Sequence, residues 1–252
     1  MDRIERCEIK YRELLHNEPV KNEGTDSEFM RILQRFVYGD ISYTGTLDDQ
    51  TRELIVITVL TANHILPQIK THIQSALNAG AEPLTIREVI YQCAPFIGFP
   101  KTLNAIAVMN ETFSENGIAL PLPDAGTVTE DDRYDNARSI QAPLYGSNVK
   151  EKYTWLPGEF AEEIPRFLTE FCFGDFYCRE GLETKKRELL IVPLLASLGG
   201  ADGQVRTHTL GALKLGNSKE DILCALTHAL PYIGFPRLFN ALNAIKEVFE
   251  QN

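Results

Sequence analysis

The chain has 252 residues, 44% hydrophobic and 24% charged, and its 35 acidic against 25 basic side chains give a formal charge of −10. That sign argues against nucleic acid and anionic membrane surfaces as partners, and no apolar run approaches the roughly 20 residues of a membrane span. The opening MDRIERCEIKYRELL is charged throughout with no signal-type apolar core, so a cytoplasmic protein is expected, its five cysteines reduced because they are odd in number and show no C-x-x-C spacing.

In chain order, the first helix-spaced apolar set is Phe29, Ile32, Leu33, Phe36 and Val37, and it recurs as Ile164, Phe167, Leu168 and Phe171. Gly39-Asp40 and Gly174-Asp175 are expected to break each pattern. RELIVITVL at 52–60 returns as RELLIVPLL at 187–195, KTHIQSAL at 70–77 as RTHTLGAL at 206–213, and FIGFPKTLNA at 96–105 as YIGFPRLFNA at 232–241. The offset is 135 at the glutamates and 136 from the histidines onward. The chain is therefore one helical unit written twice.

The expected organisation is a first repeat with an N-terminal tail over 1–120, a linker over 121–150 and a second repeat over 151–252. Residues 121–143 are rich in Pro, Asp, Gly and Thr with no evident apolar period, which is why they read as the linker. Trp155 is expected to anchor the lead-in to the second repeat against the core. The second helix of each copy opens at LDDQTREL or LETKKREL, with Asp49 and Thr184 as cap candidates. Its body is apolar on all sides and should be buried, with a kink expected at Pro193. A third helix stops at Gly80 or Gly216, and a fifth starts at Pro100 or Pro236. No strand alternation of any length occurs, so the fold class is all-α.

Three polar positions recur within apolar helices: Arg52-Glu53 with Arg187-Glu188, Gln68 with Gln204, and His72 with His208. Four-residue spacing puts each glutamine and histidine on one helical face, and a helical hairpin could return each glutamate to that face. A carboxylate beside an imidazole fixes its tautomer and suits it to proton transfer near neutrality. The same residues also fit a structural role: first-turn acids favoured by the helix dipole, a hydrogen-bonded core histidine, and arginines paired on a solvated face. Asn104 and Asn240 are read as bonding to backbone, and His64 and His228, without histidine counterparts, as incidental. Cys93 and Cys224 lie in apolar patterns as small hydrophobes.

The ordered series R-E-L, apolar helix, x-x-H-x-x-x-A-L-x-x-G, acidic helix, Y-x-G-F-P-x-x-x-N-A resembles the carboxymuconolactone decarboxylase family, which is related to alkylhydroperoxidase D. The resemblance implies an alkylhydroperoxidase D-like helical fold, here two tandem repeats forming a pseudo-dimer, and a homo-oligomer (a dimer or trimer of two-repeat chains). It also implies chemistry on a small-molecule substrate. The peroxidase branch needs cysteines seven and four residues before the histidine, where this chain has Ile65 and Gln68, and Ala201 and Gln204. That mechanism lacks its nucleophile. The decarboxylase branch implies a cofactor-free, metal-free lyase with His72, His208, Glu53 and Glu188 handling protons. Gln68 or Gln204 would then bond the developing oxyanion, and Arg52, Arg187 or Arg237 would pair with the substrate carboxylate. A non-catalytic helical assembly derived from the family remains the alternative. Glu88 is matched by Cys224, so two sites, if both exist, should be unequal.

Overall fold

The computed structural model describes residues 1–252, which form helices and no β-strand; a single bridge joins Gly126 to Arg179. The first copy comprises α1 (Arg3–Leu15), α2 (Ser27–Gln34), α3 (Asp49–Asn63), α4 (Leu66–Asn78), α5 (Pro83–Tyr91), α6 (Ala94–Ile97) and α7 (Phe99–Glu115). The second comprises α8 (Arg133–Tyr145), α9 (Phe160–Phe167), α10 (Thr184–Leu198), α11 (Asp202–Lys214) and α12 (Lys219–Gln251). Gly234, at φ 77° and ψ 160°, breaks α12 as Gly98, at φ 82° and ψ 161°, separates α6 from α7. Those angles are open mainly to glycine, so the retained I-G-F-P specifies one bend twice. That break, and the burial of half its apolar window, argue against reading α12 as a membrane span despite its length and mean hydropathy of 1.3.

α3 and α10 are buried nearly end to end because their apolar residues cover every face, and they pack against each other. Their side chains belong to a single hydrophobic core that also takes in Ile69, Ile73, Met109, Leu226 and Ile245. Burying both helices requires both copies, so the two repeats are halves of one core. α10 runs through Pro193 as a single helix. The second helices are capped one residue earlier than expected: Asp48 accepts from the Thr51 N–H, and Glu183 occupies the cap position before Thr184 without a side-chain bond.

Four other expectations are corrected. Gly174-Asp175 does not end its helix, whereas Gly39-Asp40 closes the wide turns that follow α2, with a short 3-10 turn at Ile41–Tyr43 next. α2 continues as wide π-helical turns over Arg35–Asp40, and α9 continues likewise over Leu168–Tyr177. The presumed linker holds α8, and the presumed tail holds α1. These two helices are counterparts, because Arg3 pairs with Asp40 at 2.7 Å and Arg133 with Asp175 at 3.3 Å, each beside the matching glycine. Each unit thus begins with a helix that sequence repetition does not reveal. Trp155 is 75% exposed and anchors nothing. Phe29, Ile32, Ile164 and Phe167 also face solvent in the single chain, so the apolar stripes of α2 and α9 are uncovered.

Candidate active site

Glu53 sits in the buried part of α3, and α4 packs back along it, so the chain between them forms the hairpin the spacing implies. His72 Nδ1 lies 2.7 Å from Glu53 Oε2. A carboxylate at Nδ1 holds the imidazole proton there. Nε2 is then an acceptor, and the Tyr232 hydroxyl donates to it at 3.2 Å, the two rings meeting edge to face at 5.4 Å. Tyr232 belongs to the second copy. Both nitrogens of His72 are satisfied inside the protein, and the residue is buried.

The second copy repeats the pair and changes its surroundings. His208 Nδ1 lies 2.9 Å from Glu188 Oε2. The Tyr145 hydroxyl donates to the same oxygen at 2.6 Å and lies 2.8 Å from His208 Nδ1, while the Tyr177 hydroxyl donates to Glu188 Oε1. Burial, and then the charge of Glu188, push both phenols far above the ordinary tyrosine range, so they stay protonated as donors. Phe96 occupies the place of Tyr232 and comes from the first copy, its ring edge to face with His208 at 5.5 Å. Phenylalanine has no hydroxyl, so His208 Nε2 is left without a protein partner.

That nitrogen's side chain opens on a cleft of 550 Å³ walled by Phe96, Tyr145, Phe173, Tyr153 and Leu168, with Gln204, Thr207, Lys152 and Cys172 as its main polar points. Each histidine is therefore backed by a carboxylate of its own copy and faced by an aromatic ring of the other.

Gly211 makes the second arrangement sterically possible. A β-carbon there would stand 2.9 Å from both Glu188 Oε2 and the Tyr145 hydroxyl. The first copy carries Ser75 at this position, fully buried with its hydroxyl unpaired, and Leu15 where α8 carries Tyr145.

The other expected site residues are placed differently. Gln204 is exposed on the cleft wall, whereas Gln68 is exposed without a side-chain hydrogen bond. Arg52 is buried and donates to the carbonyls of Leu47, Ile41, Thr44 and Gly45. Arg187 is wholly buried, donating to Leu182 O, Arg179 O and the carboxylate of Glu88. Arg237 donates to Asn63 Oδ1 at 2.9 Å. None of the three lines the cleft, and Arg52 and Arg187 are not on a solvated face, so they serve as internal ties. Asn104 bonds His64 Nε2 at 2.8 Å rather than backbone.

The Cys93 thiol donates to Val89 O and burial pushes its pKa up, while Cys224 donates to Thr44 O, so neither reaches the cleft. The thiol that does line it, Cys172, is pushed up to about 12 by burial and then by the charge of Glu188.

Sequence reasoning missed Tyr145, Tyr177, Phe96 and Lys152. A signal existed for α8, where Ala137, Ile140 and Leu144 follow helical spacing, but the polar run before it and Pro143 within it obscured the stripe. Phe96 sits inside a retained motif, and its relation to His208 depends on how the copies interlock.

These features define an all-helical tandem protein with a carboxylate–imidazole pair in each half. Residues 27–111 and 162–247 each match the Carboxymuconolactone decarboxylase family, and the chain belongs to that family. It is 28% identical over 123 residues to the 4-carboxymuconolactone decarboxylase of Acinetobacter baylyi, covering 49% of this chain and 91% of that protein. It is 28% identical over 109 residues to the nitrosuccinic acid decarboxylase of Metarhizium robertsii, covering 43% of this chain and 76% of that protein. A crystal structure of a proposed gamma-carboxymuconolactone decarboxylase subunit from Burkholderia xenovorans superposes over 100% of this chain and 99% of its own at a TM-score of 0.54. At 18% identity that likeness establishes the fold alone.

Proposed function

We propose that the protein is a decarboxylase-type lyase acting on a small carboxylated unsaturated lactone or related anion, with His208 as the proton donor. The observation that carries this reading is the free Nε2 of His208 at an open cleft, its Nδ1 backed by Glu188 and Tyr145. The names of the two curated relatives, both decarboxylases, support it.

In the proposed reaction the bond between the ring carbon and its carboxylate breaks and CO2 leaves. The electron pair moves into the conjugated lactone carbonyl to give a dienolate. Imidazolium Nε2–H then delivers a proton to carbon, and water restores the imidazolium. Glu188 stabilises the cationic ring throughout. Gln204 can donate to the dienolate oxygen, where charge develops, whereas the Thr207 hydroxyl is already given to Gly203 O. The lactone is its own electron sink, so the reaction calls for no cofactor and no thiol.

On this reading the first copy is the scaffold half, because Tyr232 already occupies His72 Nε2. The uncovered apolar faces of α2 and α9 support self-association of the two-repeat chain, which light scattering after size exclusion would test; a monomer at micromolar concentration would refute it. The catalytic reading is tested by CO2 release and lactone consumption in the wild type and in His208→Ala, with loss expected in the variant. Equal rates in both would end the proposal.

A further inference from the structure

The segment between the two copies contributes more than Tyr145 to the cleft. After α8 the chain turns at Gly146, and Val149, Lys152 and Tyr153 come back to line the same opening. Lys152 is exposed, and its ammonium makes no ion pair or hydrogen bond, unlike Lys150 nearby, which is paired with Glu162. Apart from His208, which the proposed reaction uses as imidazolium, no other cationic side chain and no carboxylate lines the cleft. The rest of the wall is largely ring and aliphatic surface from Pro95, Phe96, Tyr145, Phe173 and Leu168. In a chain of charge −10, one uncommitted ammonium above an aromatic pocket is a local inversion of sign.

We infer that Lys152 is the anion anchor and specificity-determining residue of this cleft, which binds a carboxylate borne on a flat conjugated ring. The ring lies against Phe96 and Phe173, and the carboxylate accepts from the lysine ammonium. This rests on the reading of the His208 cleft as the working site, and it assigns to Lys152 the role that Arg52, Arg187 and Arg237 are too buried or too distant to fill.

Chemistry also decides which carboxylate the lysine holds. An ion pair to a departing carboxylate would stabilise the ground state more than a transition state whose charge is moving into the ring, and would slow the reaction. Lys152 therefore anchors a carboxylate that the product keeps. Its loss should raise KM and leave kcat within about twofold, the signature of uniform binding.

The test uses benzoate as the probe and benzamide as its uncharged counterpart, titrated into the full chain carrying 15N-labelled histidine. Wild type should show benzoate shifting the His208 ring resonances, with affinity falling about tenfold in Lys152→Met and returning in Lys152→Arg. Benzamide should bind equally weakly to all three. Unchanged benzoate affinity in Lys152→Met, or benzoate that leaves His208 undisturbed, would overturn the anchor. If benzoate binding depends on Lys152 while the wild type releases no CO2 from the lactone, the subsite stands and the decarboxylase reading falls.

Discussion

The two halves carry the same glutamate and histidine at the same separation, yet one imidazole is closed and the other open. In the first, Tyr232 bonds Nε2, and Ser75 stands at the position of Gly211, buried with its hydroxyl unpaired. In the second, Phe96 leaves Nε2 free, and Gly211 admits the Tyr145 hydroxyl to Glu188 and His208. Duplication preserved the carboxylate–imidazole pair, and the facing ring together with Gly211 and Tyr145 distinguishes the surroundings of the two copies. A kept spacing thus reports a kept geometry, whereas access to the imidazole turns on positions that vary inside the repeated segments, Phe96 against Tyr232 and Gly211 against Ser75.

The largest effect that sharpens this comparison comes from the histidines taken one at a time. His208→Ala should lower CO2 release by about 10²–10⁴-fold, as for loss of a general acid, and His72→Ala should stay within about twofold in the same assay. A larger loss from His72→Ala would reverse the assignment of the halves.

A second contrast concerns the arginines. Arg52 is served by four carbonyls, but Arg187 depends on Glu88, which is wholly buried and shared with Arg87 and Arg179. Glu88→Ala should destabilise the fold by about 3–5 kcal/mol, because it strands a buried guanidinium. Chemical denaturation would show it, and a change under 1 kcal/mol would mean that the carbonyls suffice there too.

Copying the first half into the second gives a smaller expected change. Gly211→Ser should displace the Tyr145 hydroxyl from Glu188 and reduce turnover about tenfold, with circular dichroism unchanged, since one charge-assisted hydrogen bond is lost. Full activity would show that Tyr145 is dispensable.

A pH-dependent effect distinguishes His228 from its counterpart Gln92. Burial first, then the charge of Arg52, lowers the His228 pKa from 6.5 to about 3. Unfolded, this imidazole takes its proton near 6.5, so between 6.5 and 3 the unfolded chain binds more protons than the folded one. Its contribution is complete above pH 6.5 and is lost as the pH falls, on the order of 1 kcal/mol per pH unit. His228→Gln should flatten the acid limb of a melting-temperature profile, and an unchanged slope would contradict it.

The residues themselves determined much of this molecule. Periodicity and internal repetition sufficed for an all-helical chain, for the bend at I-G-F-P and for the pairing of Glu53 with His72 and Glu188 with His208, because those depend on spacing within one hairpin. The helix α8 was weakly legible in Ala137, Ile140 and Leu144. The stripes of α2 and α9 were legible as helical faces, but helical spacing shows that a face is apolar and says nothing about what covers it.

Only the tertiary structure decided which histidine is open, because Tyr232 and Phe96 act across the boundary between the copies, 160 residues from His72 in the first case. It also turned the arginines inward and brought Lys152 to the cleft. Contacts between distant segments depend on how α3 and α10 bury each other, and no pattern of neighbours along the chain encodes that.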